Sequence, residues 1–381
     1  MTAAGAGKPE SDGVRTATVG EIGERAMIAA FTAQARGSAA HHDIVIGSGD
    51  DAAVIDTRGV TVISTDTAVE GRHFRFDWSP AQDVGARAIV QSAADIAAMG
   101  GRTTGVVVSI AAPPSTLVGT LLDLNMGMVD AAHRLGARVL GGDLVAAQQV
   151  VVSVTAVGAM DGTEPVVLGG ANPGDVLAVS GPVGACAAGL AVLSSGDDDL
   201  IAQWQDLVAA YRIPSPDLTQ GPIAAAAGAH AMTDISDGLV EELITMAQAS
   251  GTRLSVRSGS VPRHERVTAL AEELGTDVVD WVLAGGEDHE LLAAFDADAV
   301  PAGWTVIGEV SAPGAERAGR VSSAPGAERA GRVSSAPGAE RAGRVSSAPG
   351  VERVPADVLV DGRSIHAADG PRLRGWESFS A

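Results

Sequence analysis

From Ile44 to Met160 the sequence alternates short β-branched runs with two long Ala-rich stretches of helical period. Strand-like runs occur at "DIVIGSGDDAAVID", "VTVISTD", Gly105 to Ala111, "ARVLGGD" and "VVVSVTAVGAM". Strands and helices interleaved in this way must bury one face of each against the other, in layers. One helix is predicted to open at Thr18, where Thr18 and Glu21 have capping-box spacing before "IGERAMIAAFTAQA". A second has Ser79 as cap, Pro80 at its first position and Gln82 three residues after the cap, and runs to Met99. A third runs from Leu117 to Leu135 and is stopped by Gly136.

Near Gly162 to Gly174 the sequence becomes loop-like, and the mixture then repeats with strands at "DVLAVSG", "AMTDISDGL", "RLSVR" and "HELLAAF". Two α+β domains of mixed sheets packed with helices are expected, over 19–162 and 163–381, after a disordered tail at 1–18. From Ser311, "SAPGAERAGRVS" recurs in tandem at 311, 323 and 335, and a fourth copy decays at "SAPGVERV". The unit has no apolar face to bury, so the segment 311–350 reads as a flexible insertion between "TVIGEV" and "DVLVDG".

The net charge of −21 argues against nucleic acid or an anionic membrane as partner, although an acidic chain can handle phosphates through divalent cations. The only lysine is Lys8, so neither a P-loop nor the strand lysine of a protein kinase exists here. Cys186 is the only cysteine, which excludes a disulfide framework and a Cys-based metal site. No apolar run reaches membrane-spanning length and the N-terminus lacks an apolar signal core, so a cytoplasmic location is expected.

Aspartates recur at the loop ends of the apolar elements. They are Asp51 in "GDDAA", Asp66 in "STDT", Asp95 in "AADIAAMGG", Asp143 in "LGGDL", and Asp234 with Asp237 in "TDISDG". At 100° per residue Asp95 falls about 20° from Val84, inside the apolar stripe of its helix. A carboxylate there needs a cation or strong donors. Gathered without counter-ions, such groups repel by about 4 kcal/mol per close pair at intermediate dielectric. Hard oxygen ligands of this kind suit Mg2+ better than zinc. Ser64, Thr65 and His73 lie near Asp66 in sequence, and Glu287 with His289 forms a further polar cluster in "GGEDHE". In the first acidic pair, successive side chains of an extended segment point to opposite faces, so only one of Asp50 and Asp51 can face a given site.

Seven segments in order, "GDDAAVI", "STDTAVEGRHF", "ADIAAMGG", "LGGDL", "ANPGDVLAVSG", "TDISDGL" and "GGEDHEL", resemble the thiamine-monophosphate kinase family. That family belongs to the aminoimidazole ribonucleotide synthetase-like superfamily. The resemblance implies its two-domain fold, a homodimer, and ATP- and Mg2+-dependent phosphorylation of thiamine monophosphate to thiamine diphosphate. It assigns Asp51, Ser64, Thr65, Asp66, Asp95, Asp143 and Asp234 to one cluster of Mg2+ ions, and Asp237 to a further ion. It places Gly142, Asp143 and Ser236 against ATP, and His73, Glu287 and Trp376 against thiamine monophosphate.

Two positions depart from the family pattern. Leu168 stands where the family carries an ATP-binding arginine; either nucleotide binding is weakened, unless Arg102 or Arg212 reaches in as a substitute, or Leu168 packs into the core. Ser92 stands where the family has Asn, a change expected to affect only local helix contacts. Two alternatives to the kinase are a hydrogenase-maturation cousin, which needs a C-terminal cysteine that "RLRGWESFSA" lacks, and a non-catalytic thiamine-phosphate or nucleotide-binding protein. Selenophosphate synthetase would need an N-terminal Cys or selenocysteine, also missing.

Overall fold

The structure, a computed structural model, describes residues 12–36, 43–47, 52–313 and 357–365. Asp50, Asp51, Trp376 and nearly all of the tandem repeat lie outside the described residues. Helices α1 (Asp12–Arg15), α2 (Val19–Ile22) and α3 (Glu24–Arg36) lead to an antiparallel ribbon of β1 (Ile44–Ile46) and β2 (Val54–Ile55). The expected tail is therefore structured from Asp12, where Arg15 pairs with Asp123 at 2.5 Å. The expected first helix is two helices. Glu21 accepts hydrogen bonds from the Thr18 N–H and hydroxyl as the capping signal requires, but Gly23, at φ +79°, breaks the run one turn later.

A four-stranded mixed sheet follows, ordered β3-β6-β4-β5. It comprises β3 (Thr61–Val69), β4 (Arg102–Ala112), β5 (Arg138–Ala146) and β6 (Val151–Ala159). Helices α4 (Ala81–Ala98) and α5 (Val118–Arg134) cover one face and bury Ile89, Ile96, Leu121, Leu124 and Met128. They approach closely through two glycines. A Cβ on Gly85 would stand 2.0 Å from the Leu124 carbonyl oxygen, and one on Gly127 1.8 Å from that of Gln82. Pro80, not Ser79, is the N-cap of α4; Ser79 is buried.

The C-terminal half contributes β7 (Val176–Val179), α6 (Ala185–Ser195), α7 (Asp198–Gln203), α8 (Gln205–Arg212), α9 (Gln220–Ala226), β8 (Ala231–Asp234), α10 (Leu239–Ser250) and β9 (Arg253–Val256). It continues with α11 (Glu265–Leu274), α12 (Val278–Ala284), β10 (Leu291–Phe295), β11 (Thr305–Ser311), β12 (Asp357–Val360) and β13 (Arg363–Ser364). Its strands form one mixed sheet, ordered β13-β12-β9-β11-β7-β10-β8. The repeat-bearing segment joins β11 to β12, and β9 lies between those two strands; Ser311 and Asp357 both pair with Arg253. Leu168 packs against this sheet's core, which favours the packing alternative over a vacant nucleotide contact. Neither proposed substitute reaches in its place: Arg102 is held by Asp43 and Asp161, and Arg212 donates to the Trp78 carbonyl. No helix among the described residues is long and apolar enough to cross a membrane.

Candidate active site

Helix α4 and edge strand β3 build one wall of an acidic cleft. Along β3 the side chains alternate, so Ser64 and Asp66 turn toward α4 while Thr65 faces the other way. On α4, Ser92 and Asp95 are one turn apart and meet these two residues. The Ser64 hydroxyl donates to Asp95 Oδ2. Ser92, buried, donates to the Val154 carbonyl at 3.4 Å and lies close enough to Asp66 to oppose the rise in its proton affinity. Ser92 thus ties α4 to β6 beside the Asp66 carboxylate.

The opposite wall comes from the C-terminal sheet. Asp234, buried at the end of β8, lies 2.9 Å from His289 Nδ1. Asp66 and Asp95 both sense its charge. Burial, then the neighbouring Asp234 and Asp66, push Asp95 up to about 6 against the Ser64 bond. Burial raises Asp66 as well, with Asp234 adding to it. For His289, burial favours the neutral ring, but its bond to Asp234 and the nearby Glu287 carboxylate prevail and raise it to about 10. The imidazolium is therefore a fixed positive charge among the carboxylates.

Glu287 and His289 hold left-handed backbone at φ +71° and +56°, unusual for residues with a Cβ. The surrounding bonds sustain this shape. Glu287 N–H donates to the Ser236 carbonyl at 2.7 Å, His289 N–H to that of Ile235 at 3.0 Å, and the Cys186 thiol to the Glu287 carbonyl at 3.1 Å. The Glu287 side chain accepts from Arg87 and Gln91 of α4, each at 2.5 Å. Burial works against its charge, but Arg87 and His289 overcome that and hold the carboxyl well below the usual range.

The turn after β8 carries Ser236 and Asp237, both held by Glu242 of α10. Glu242 Oε1 accepts from the Ser236 hydroxyl and from Asp237 N–H, each at 3.3 Å. Burial and the charge of Asp234 lift Glu242 to about 7. Partial burial and the nearby charges of Glu287, Asp234 and Glu241 raise Asp237.

Three expected ligands are not in this cleft. Thr65, Gly142 and Asp143 belong to the outer face of the first sheet. Thr65 bonds Thr155 at 3.1 Å, while Gly142 and Asp143 line a groove of about 640 Å³ beneath α3. Asp143 shares a cross-strand row with Ser109, Ser153 and Thr67, three strand spacings or about 14 Å from β3. The expected single cluster is therefore not assembled within one chain, because the period of two sends Thr65 away from Ser64 and Asp66. His73 follows β3 in a turn, where its Nδ1 accepts from Val69 N–H at 3.1 Å. That bond leaves Nε2 as the donor of the neutral ring.

The oxygen-only set of Ser64, Asp66, Asp95 and Asp234 fits a hard cation. It does not form a tight cage. Among the described residues, the group of three His, Cys, Asp or Glu side chains with ligand atoms mutually within 4.8 Å is Asp175, His230 and Asp296, in the C-terminal domain. The cleft carboxylates are spaced more widely, as suits ions that also keep waters and phosphate oxygens. Arg87, Gln91 and Glu242 complete the site and carry no signal in the sequence; Ser92, beside them, has one in its departure from the family Asn.

Comparison with known proteins follows the same architecture. The family AIR synthase related protein, N-terminal domain, matches residues 49–160, and AIR synthase related protein, C-terminal domain, matches residues 172–319. The thiamine-monophosphate kinase of Mycobacterium tuberculosis (strain ATCC 25618 / H37Rv) is 45% identical over 305 residues, 80% of this chain and 89% of that relative. Among solved structures, thiamine-monophosphate kinase from Stenotrophomonas maltophilia K279a has a TM-score of 0.66 at 28% identity, over 75% of this chain and 93% of that one. AaThiL complexed with AMPPCP and TMP has a TM-score of 0.67 at 23% identity, over 94% of this chain and 98% of that one, a likeness of fold.

Proposed function

Because the chain belongs to the thiamine-monophosphate kinase family of AIR synthase-related proteins, we infer that its acidic cleft is where the phosphoryl group is transferred. The chain phosphorylates thiamine monophosphate with ATP, giving thiamine diphosphate and ADP. The observation that carries the assignment to this cleft is the convergence of Asp66, Asp95 and Asp234 from two domains, where the charge of Asp234 raises the proton affinity of both others and Asp66 raises that of Asp95. Ser64, Asp66, Asp95 and Asp234 would hold Mg2+, which neutralises phosphate charge when bound. The protein's own part is positioning. Ser64 fixes Asp95 on the α4 side, and His289 fixes Asp234 opposite it. The acceptor is an already ionised phosphate, so in-line transfer needs no strong base. Ser236 and Asp237 would border the nucleotide phosphates, and His73 and Glu287 would meet thiamine monophosphate.

A homodimer reconciles the two faces of the first sheet. Its outer face exposes Ile63, Val107 and Val145, at 65%, 40% and 47%. An apolar surface of this kind suits a second copy. Stacked face to face, two copies would carry Asp143 and Gly142 of one toward the β3 edge of the other, completing the expected ligand set across the interface. The single, buried Cys186 is in keeping with a reducing, cytoplasmic location.

The direct test is product formation. Purified protein with saturating ATP, Mg2+ and thiamine monophosphate should accumulate thiamine diphosphate in equal amount to ADP. ADP without thiamine diphosphate, or neither, would overturn this reading.

A further inference from the structure

The Glu287 carboxylate is used asymmetrically. Arg87 Nη2 and Gln91 Nε2 both donate to Oε2 at 2.5 Å, and His289 Nε2 stands 3.7 Å from the same oxygen. No hydrogen bond among the described residues reaches Oε1, and 27% of the side chain is exposed. His289 Nε2 is buried with no hydrogen-bond partner of its own and is aimed at this group. Arg87 is itself immobilised. Its Nη1 donates to the Tyr211 carbonyl at 2.7 Å, and its guanidinium lies 4.7 Å from the centre of the Tyr211 ring. The carboxylate is thus pinned through one oxygen by rigid donors, with its charge intact and its second oxygen left for a ligand.

Arg87, Gln91 and Asp95 follow one another at four-residue intervals along α4, so all three share a face. At 1.5 Å per residue, Gln91 lies about 6 Å and Arg87 about 12 Å along the helix axis from Asp95. One rod therefore sets the distance between the free oxygen of Glu287 and the phosphate end of the cleft. A ligand suited to that oxygen carries positive charge or N–H donors a few ångströms from a phosphate. The thiazolium and aminopyrimidine of thiamine monophosphate have that chemistry.

We propose that Arg87 and Gln91 are positioning residues for acceptor selection: they orient Glu287 so that Oε1 receives the cationic, amine-bearing part of thiamine monophosphate. This rests on the reading of the cleft given above. Neither residue touches the substrate; both act through Glu287, and that dependence is what a double-mutant cycle measures.

The experiment is steady-state kinetics of Gln91→Leu, Glu287→Gln and the double variant, with melting temperatures. Gln91→Leu should raise KM for thiamine monophosphate at least fivefold, with a much smaller change in kcat and in KM for ATP. In the Glu287→Gln background the same substitution should add less than twofold. Arg87→Met strips a buried carboxylate of its ion partner, so Arg87→Lys is the second variant; it should shift KM in the same sense. An unchanged KM in Gln91→Leu, or fully additive effects with Glu287→Gln, would overturn the proposal, as would a fall in melting temperature with equal losses in every kinetic constant. If the wild type binds thiamine monophosphate without turning it over, the kinase reading fails alone, and the same cycle is read as Kd by calorimetry. Absence of binding would overturn both.

Discussion

The Ser64 hydroxyl donates to Asp95 Oδ2 and so ties the middle of an edge strand to the last turn of the helix that covers it. One carboxylate is thereby fixed facing another, Asp66, whose charge it feels. Catalysis of phosphoryl transfer relies on such placement of charge. Asp66→Asn and Asp95→Asn should each lower kcat at least about a hundredfold, and Ser64→Ala about tenfold, in an assay of thiamine diphosphate formation. A kcat within threefold of wild type for either Asp variant would remove it from the reacting cluster.

Without metal, the crowded carboxylates oppose folding at neutral pH. Asp95 titrates near 6 in the folded chain against 3.8 when unfolded, so between those values the folded state holds the extra proton. Stability from this group therefore rises as pH falls from about 7 toward 4. His289, raised to about 10 from 6.5, adds a slope of the same sign only above pH 6.5. In EDTA-treated protein, Asp95→Asn should raise the melting temperature by about 2–5 °C at pH 7.5 and by much less at pH 5. An equal shift at both values would exclude titration of Asp95 as the cause.

Leu168 is a packing residue, set against the apolar core of the second sheet. Leu168→Arg should lower the melting temperature by several degrees and leave KM for ATP unchanged. A several-fold drop in that KM would restore the view that this position faces nucleotide.

If ligands are shared across a twofold interface, two inactive variants can repair each other. Random mixing of Asp66→Asn with Asp143→Asn gives half heterodimers, each with one intact site of two. Activity should recover to about a quarter of wild type after the mixture is dissociated and reassembled. No recovery, with heterodimers present by mass spectrometry, would confine the site to one chain.

Deleting residues 314–349, the length of three repeats, should change neither kcat nor melting temperature by more than the error of measurement. The strands at either side, β11 and β12, are each hydrogen-bonded to β9 independently of what joins them. Loop length enters closure entropy only logarithmically. A fall of more than about 5 °C would show that the repeat packs on the sheet.

The elements themselves were legible from sequence because their periods are strong. Helix α4 shows Asp95 in its apolar stripe, and the structure finds it half-buried against β3. The face of each strand residue was equally readable, since Ser64 and Asp66 share a parity that Thr65 lacks; family resemblance grouped all three regardless. What periodicity could not reveal was the second shell. Gln91 and Arg87 look like ordinary polar residues of a helix, and the group they serve, Glu287, is 196 and 200 residues away. Such a pairing exists only after both domains have folded.

That last contact bears on how the molecule unfolds. Arg87 leaves the first domain's helix and ends among Tyr211 and Glu287 of the second, with 8% of its side chain exposed. Pulling the halves apart breaks the Arg87–Glu287 pair together with the Arg87 bond to the Tyr211 carbonyl. Two sheets whose main cores are separate would ordinarily melt as two events, but here Ala97 and Ala98 of α4 also pack with Met232 and Leu291 of the second sheet. Joined by these contacts and by the Arg87 pair, the two sheets lose their structure together, and a single calorimetric transition, with equal calorimetric and van't Hoff enthalpies, is the signature.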